Sequence, residues 1–128
     1  MTELLALIVE DNHRNLKLAR DVLQFHGFRT LEATAGREAI ALAKANVPDV
    51  ILLDIQLPDI DGVEVLCQLR HDTTTSRIPV IAVTAFAMKE DANRFLRAGF
   101  NGYIAKPIDV KTFADQVREC SKSSGNDC

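Results

Sequence analysis

Cysteine is scarce here. The chain has three, Cys67, Cys120 and Cys128, and no two stand at C-x-x-C spacing. An odd and scattered set excludes a disulfide framework and a cysteine zinc site. Cys67 and Cys120 are expected as small buried apolar residues on helices, and Cys128 as an exposed tail thiol. Long apolar runs are missing too. The opening run Leu4–Val9 falls far short of the roughly 20 residues that cross a bilayer, and Met1-Thr2-Glu3 ahead of it lacks the basic start of a secretory signal. Cytoplasmic location and no membrane insertion are the resulting expectations. There is no surplus of positive charge: the net charge is -3, which gives no general reason for direct nucleic-acid binding. The first apolar run is followed by no Gly- or Ser/Thr-rich phosphate loop. Glu10 and Asp11 stand there instead and would repel a phosphate without a metal, which argues against a nucleotide- or flavin-binding module.

What is present is ordinary for one soluble globular domain: 128 residues, 47% hydrophobic and 26% charged. The centre of the pattern is Val50-Ile51-Leu52-Leu53-Asp54-Ile55-Gln56-Leu57-Pro58. Four apolar residues in a row suit a strand buried on both faces, as in a parallel sheet covered by helices. Around it strand and helix alternate. Leu4–Val9 is a strand, followed by a helix with Leu16, Ala19, Val22 and Leu23 at helical spacing and Gly27 as its stop. Thr30–Ala33 is a strand and Gly36–Ala45 a helix, ended ahead of Pro48. After the turn-rich Pro58–Gly62, Val63, Leu66, Cys67 and Leu69 mark a third helix ending near Asp72. A polar loop, Thr73–Arg77, leads to the strand Val80–Val83, which ends in Thr84. Met88–Ala98 is a fourth helix with Ala92, Phe95 and Leu96 inward, closed by Gly99. Tyr103–Ala105 is a fifth strand, stopped by Lys106-Pro107, and Val110–Ser121 a last helix with Phe113, Val117 and Cys120 on one face. This alternation predicts a parallel sheet with helices on both faces, a domain over 1–121 and a flexible tail over 122–128.

The strand ends assemble a constellation. The first offers Glu10 and Asp11, the third Asp54, the fourth Thr84 and the fifth Lys106. Ligands in open α/β sheets bind at that carboxyl edge. Three neighbouring carboxylates repel one another unless something positive sits among them, and a hard divalent cation such as Mg²⁺ answers that need with oxygen ligands. A lysine and a hydroxyl beside them suit phosphoryl transfer, where catalysis is mostly positioning and charge neutralisation. Taken singly, each has a plainer role. Glu10, Asp11 and Asn12 fit cap and first-turn positions, Thr84 a strand, and Lys106 the surface; Gly62, Gly99 and Gly102 fit turns and helix ends. His13, His26 and His71 have no partner at ligand spacing and are expected to be solvated. The joint occurrence in strand order is what separates the constellation from accident.

Glu10-Asp11-Asn12, Asp54-Ile55-Gln56-Leu57-Pro58 with Gly62, Val83-Thr84-Ala85 and Lys106-Pro107 together resemble the receiver domain of two-component response regulators, over about Leu4 to Ser121. The resemblance implies a flavodoxin-like (CheY-like) doubly wound fold, five parallel strands in the order 2-1-3-4-5 with five helices. It implies that Asp54 accepts a phosphoryl group from a histidine kinase or histidine phosphotransfer protein. Asp11, Asp54 and the backbone carbonyl of Gln56 would ligate Mg²⁺ (or Mn²⁺), with Glu10 acting through water. Lys106 would contact the phosphoryl oxygens, and Thr84 would move toward them and draw in the switch aromatic Tyr103. The Lys106-Pro107 peptide would be cis. Gln56 and Phe86 occupy positions that vary in the family and tune phosphoryl lifetime. Asp-Ile-Gln-Leu-Pro with Thr84-Ala85-Phe86-Ala87-Met88-Lys89 further resembles stand-alone receivers and those attached to hybrid kinases. The expected output is binding of a downstream signalling protein or onward phosphotransfer, not catalytic turnover. Two alternatives stand beside it: a scaffold receiver independent of phosphorylation, and an aspartyl-nucleophile phosphohydrolase. The second wants an aspartate two residues after the nucleophile, where this chain has Gln56.

Overall fold

Continuous apolar runs separated by amphipathic stretches leave one economical arrangement, a sheet buried on both sides by helices. The computed structural model, which describes residues 3–85 and 89–121 with the side chains of 89–92 excepted, has that arrangement. The elements are β1 (Leu5–Val9), α1 (His13–Phe25), β2 (Arg29–Ala33), α2 (Gly36–Asn46), β3 (Val50–Asp54), α3 (Gly62–His71), β4 (Val80–Thr84), α4 (Lys89–Ala98), β5 (Gly102–Ala105) and α5 (Phe113–Ser121). All strand pairs are parallel and the order is β2-β1-β3-β4-β5, the flavodoxin-like topology expected from the sequence.

Side chains alternate between the two faces of each strand. Leu7, Val9, Ile51, Leu53, Val80 and Ala82 pack with Ala39, Ile40 and Ala43 of α2, Val65, Leu66 and Leu69 of α3, and Phe95 of α4. Ala6, Ile8, Val50, Leu52, Ile81 and Val83 pack with Leu16, Ala19 and Leu23 of α1 and Phe113, Ala114 and Val117 of α5. β3 and β4 are buried at every position, so the two central strands carry the carboxyl edge on an unyielding base.

Several expected orientations differ. Cys67 is exposed and Cys120 half-buried rather than core residues. On α3 the inward stripe is Gly62, Val65, Leu66 and Leu69. Cys67 lies about 100° around the helix from Leu66, and Val63 is likewise on the outer side. The same geometry separates Phe95, buried, from Leu96, exposed; Ala92 lies outside the described side chains. Gly102 begins β5 instead of making a turn, while Gly99 does end α4 with φ 112°. The last helix starts at Phe113, three residues later than expected, after a turn in which Asp109 accepts from the amides of Lys111, Thr112 and Phe113. The three histidines are exposed. Residues 122–128, with Cys128, lie outside the described residues.

The amino edge of the sheet is locked by one cation. Arg70, on the last turn of α3, donates to the carbonyls of Ser76, Ile78 and Gly99 and to Asn101 Oδ1 at 2.7–3.1 Å. Asn101 Oδ1 also accepts from the Val80 amide at 2.9 Å. One side chain thus ties α3 to the entries of β4 and β5. Arg70→Ala strands those carbonyls and is expected to cost about 2–4 kcal/mol. Chemical denaturation measures it; a loss below about 0.5 kcal/mol would show that water replaces the guanidinium without penalty.

Candidate functional site

Strand parity decides which carboxyl-edge residues meet. Glu10 follows Ile8, Asp54 follows Leu52 and Lys106 follows Ile104 by two residues, so all three continue the face that packs on α1 and α5. Thr84 follows Ala82 and continues the opposite face. Parallel pairing brings the ends level: Val9 lies opposite Leu53, Asp54 opposite Val83, and Thr84 opposite Ala105.

The lysine sits between two buried acids. Lys106 Nζ is 2.9 Å from Glu10 Oε1 and 3.1 Å from Asp54 Oδ2. Glu10, Asp54 and Thr84 are each buried, whereas Asp11 is exposed. Asp54 Oδ1 accepts from the Gln56 amide at 3.0 Å, and Glu10 Oε2 from the Asn12 amide at 3.3 Å. Asn12 caps α1 itself, accepting from the amides of Arg14 and Asn15; of the three residues given the plainer cap and first-turn reading, it is the one that takes the cap. Glu10, Asp11 and Asp54 each offer a carboxylate oxygen within 4.8 Å of the others. One ammonium stands against three carboxyl groups, two of them in direct contact with it, so two negative charges are unbalanced once all three are ionised. That charge and an all-oxygen donor set fit a hard divalent cation.

Burial and the neighbouring Asp54 push the Glu10 carboxyl up to about 7, against the opposing pull of Lys106. The Lys106 ammonium is raised above its usual range by hydrogen bonds and charge from Glu10 and Asp54, which together outweigh its desolvation. A carboxyl whose pKa is higher folded than unfolded binds more protons in the folded state between those values. Its stabilising contribution is complete below the unfolded value of 4.5 and is lost as pH rises through about 7. Metal-free protein is therefore expected to lose stability over that window, and Glu10→Gln to flatten the slope. Thermal unfolding at a series of pH values tests this; an identical slope in the variant would be the contrary result.

The loop after Asp54 is closed on itself. Asp61 Oδ1 caps α3 through the Val63 amide at 2.7 Å, and the Gly62 amide donates to the Ile55 carbonyl at 3.1 Å. A Cβ at Gly62 would lie 2.8 Å from Ile55 Cα and 2.9 Å from the Asp54 carbonyl oxygen. Gly62 is therefore required by close backbone approach rather than by a turn conformation. The Lys106-Pro107 peptide is cis. Tyr103 on β5 is 41% exposed, and Phe86 lies outside the described residues. The sequence reading passed over Asp59, whose carboxylate takes the amides of Gly36 and Arg37 at 2.7 and 3.0 Å. The available signal was Ala35, which precedes α2 without any side-chain acceptor.

Comparison with known proteins agrees with this geometry. The chain is 47% identical over 112 residues to the polar-differentiation response regulator DivK of Brucella ovis, covering 88% of this chain and 91% of that protein. The receiver domain of sensor histidine kinase PA1611 from Pseudomonas aeruginosa PAO1 superposes with a TM-score of 0.86 at 31% identity, over 95% of this chain and 100% of that one, and has a magnesium ion coordinated in its active-site cleft. The chemotaxis response regulator CheY4 of Vibrio cholerae superposes with a TM-score of 0.87 at 25% identity, over 93% and 99% of the two chains. Residues 6–118 match the family model described as the response regulator receiver domain. The match takes in β1 from Ala6 onward, the other four strands and every acid and base gathered at the carboxyl edge, and the chain belongs to the response regulator receiver domain family.

Proposed function

We propose that this chain is a single-domain response regulator of a two-component phosphorelay, phosphorylated on Asp54 by a histidine kinase or histidine phosphotransfer protein. The observation that carries the reading is Lys106, bridging buried Asp54 and Glu10 while Asp11 stands within metal-sharing distance. An Asp54 carboxylate oxygen attacks the phosphorus of a phosphohistidine. A P–O bond forms, the P–N bond breaks, and its electron pair leaves on the imidazole nitrogen, which takes up a proton. Lys106 shifts from carboxylate to phosphoryl oxygens and neutralises the charge gathering on them. Asp11, Asp54 and the Gln56 carbonyl are the residues that would hold Mg²⁺ or Mn²⁺, with Glu10 acting through water. Such an ion supplies charge neutralisation to the transferring group.

Signal output follows from Thr84 and Tyr103. The Thr84 hydroxyl gains a phosphoryl oxygen as acceptor only after transfer. Its inward movement makes room for Tyr103, whose ring then leaves the surface. The face of α4, β5 and α5 differs between the two states and is recognised by a downstream signalling protein. Gln56 and Phe86 set how long the acyl phosphate lasts. These reactions take place in the cytoplasm.

Incubation with acetyl phosphate and Mg²⁺ tests the proposal. One phosphoryl group should add, map to Asp54 and be released by hydroxylamine. Amide NMR with beryllofluoride and Mg²⁺ should show shifts reaching α4 and Tyr103. An adduct on a threonine would overturn the assignment of the acceptor. Shifts confined to the loops around Asp54 would overturn the output switch.

A further inference from the structure

We propose that Asp59 is a positioning residue, clamping the loop that follows the phosphoacceptor to the amino end of α2. This inference rests on the proposed phosphoacceptor function and adds to it a residue outside the acid cluster. Helix α2 lacks a cap of its own. Ala35 has the extended backbone of an N-cap residue, φ -146° and ψ 156°, but offers no acceptor. The two carboxylate oxygens of Asp59 take over, one on the Gly36 amide at 2.7 Å and one on the Arg37 amide at 3.0 Å. Arg37 Nε lies 3.8 Å from the same carboxylate. Those amide donors hold the Asp59 carboxyl below the usual aspartate range, so the clamp is fully charged at neutral pH.

The fit beside it is equally particular. A Cβ on Gly36 would come within 2.6 Å of Ile60 Cγ1 and 2.8 Å of Val65 Cγ2. The residue next to Asp59 thus packs where α2 has no side chain. Between Asp54 and the start of α3 at Gly62, the Gly62 amide closes the loop on Ile55, the Ile55 amide ties its first residue to Val83 of β4 at 3.3 Å, and Asp59 with Ile60 anchors its far half to α2. Gln56 lies inside that span, with its amide on Asp54 Oδ1. A loop also pinned between its ends, through Asp59 on α2, presents the Gln56 backbone in a constant place; a loop held only at its ends on the sheet and α3 does so less strictly. Outer partners of metal ligands act in this way, through orientation instead of contact.

A simple cap and a clamp make different predictions, and a second substitution separates them. Asp59→Ala should weaken Mg²⁺ binding about tenfold and slow phosphorylation by acetyl phosphate at saturating Mg²⁺ by roughly three- to tenfold. It should also lower the unfolding midpoint, because α2 loses its cap. Adding Ala35→Ser gives α2 a local acceptor. The double variant should recover the midpoint while Mg²⁺ affinity and phosphorylation rate stay low. Calorimetric Mg²⁺ titration, repeated in about 1 M KCl where through-space charge is screened, should still show the deficit relative to wild type. Wild-type Mg²⁺ affinity in Asp59→Ala, recovery of that affinity in the double variant, or a deficit that vanishes in high salt would each overturn the clamp. Wild-type protein that binds no Mg²⁺ and takes no phosphoryl group would instead overturn the proposed function. In that event amide hydrogen exchange over residues 55–62 of the metal-free chain still decides the clamp. Faster exchange in both variants supports it, and unchanged exchange ends it.

Discussion

Asp54→Asn is expected to yield a folded protein that takes up no phosphoryl group from acetyl phosphate or from phosphohistidine. The amide keeps the shape and can still accept the Gln56 amide at the oxygen that does so now, so the closed loop is retained. What disappears is the nucleophile, because an amide oxygen carries too little charge to attack phosphorus. The substitution also removes one of the two acids on Lys106. Asp54 is among the causes that raise the Glu10 carboxyl, so Glu10 should titrate lower in the variant while keeping its own contact with the lysine. Intact mass after acetyl phosphate treatment and carboxyl NMR titration report the two effects. Residual phosphorylation at wild-type stoichiometry would place the acceptor elsewhere. An unchanged Glu10 titration would mean that burial and Lys106 alone set its proton affinity.

The second large effect concerns Asp11. Of the three acids it is the one that faces solvent, and it has neither of the lysine contacts that occupy Glu10 and Asp54. A hard cation arriving from water meets this carboxylate first. Asp11→Ala removes both a charge and an oxygen ligand, so Mg²⁺ affinity should fall at least about 100-fold, with phosphorylation falling alongside. Stability without metal should hold or rise slightly, because one of three crowded negative charges is gone. Calorimetric titration with Mg²⁺ and a denaturation curve measure both. Unchanged affinity would remove Asp11 from the ligand set. A large loss of stability would show instead a structural role at the start of α1.

The two substitutions also explain why the acids are not interchangeable. Glu10 and Asp54 are buried against one lysine, and after burial itself the neighbouring Asp54 raises the Glu10 carboxyl. Asp11 stands outside that pair, exposed, with a carboxylate oxygen within 4.8 Å of the other two acids. Removal of Asp54 should lower the titration of Glu10, whereas removal of Asp11 should act on metal affinity.

Elements and edge residues were legible because their signals are local. Runs such as Val50–Leu53 and Val80–Val83 are long enough to bury both faces of a strand, and helical spacing with terminal glycines bounded most of what lies between. Where the reading of orientation slipped, at Cys67, Val63 and Leu96, an apolar residue sat one step round the helix from the true inward position. Composition counts such a residue as core; only the facing surface decides which of two adjacent apolar side chains is buried.

By itself, then, the sequence determined the alternation of strands and helices, the parallel sheet that follows from it, and which acids, lysine and threonine stand at the strand ends, because hydrophobic periodicity and chain order act over a few residues at a time. The tertiary structure alone decided that Lys106 lies between Glu10 and Asp54, that Glu10 holds its proton to near neutral pH, and that Arg70 closes the opposite edge. It also decided that Asp59 caps a helix 22 residues earlier in the chain. Each of these is a contact between segments far apart in sequence, and its distance, burial and charge exist only once the sheet has set the strand ends side by side.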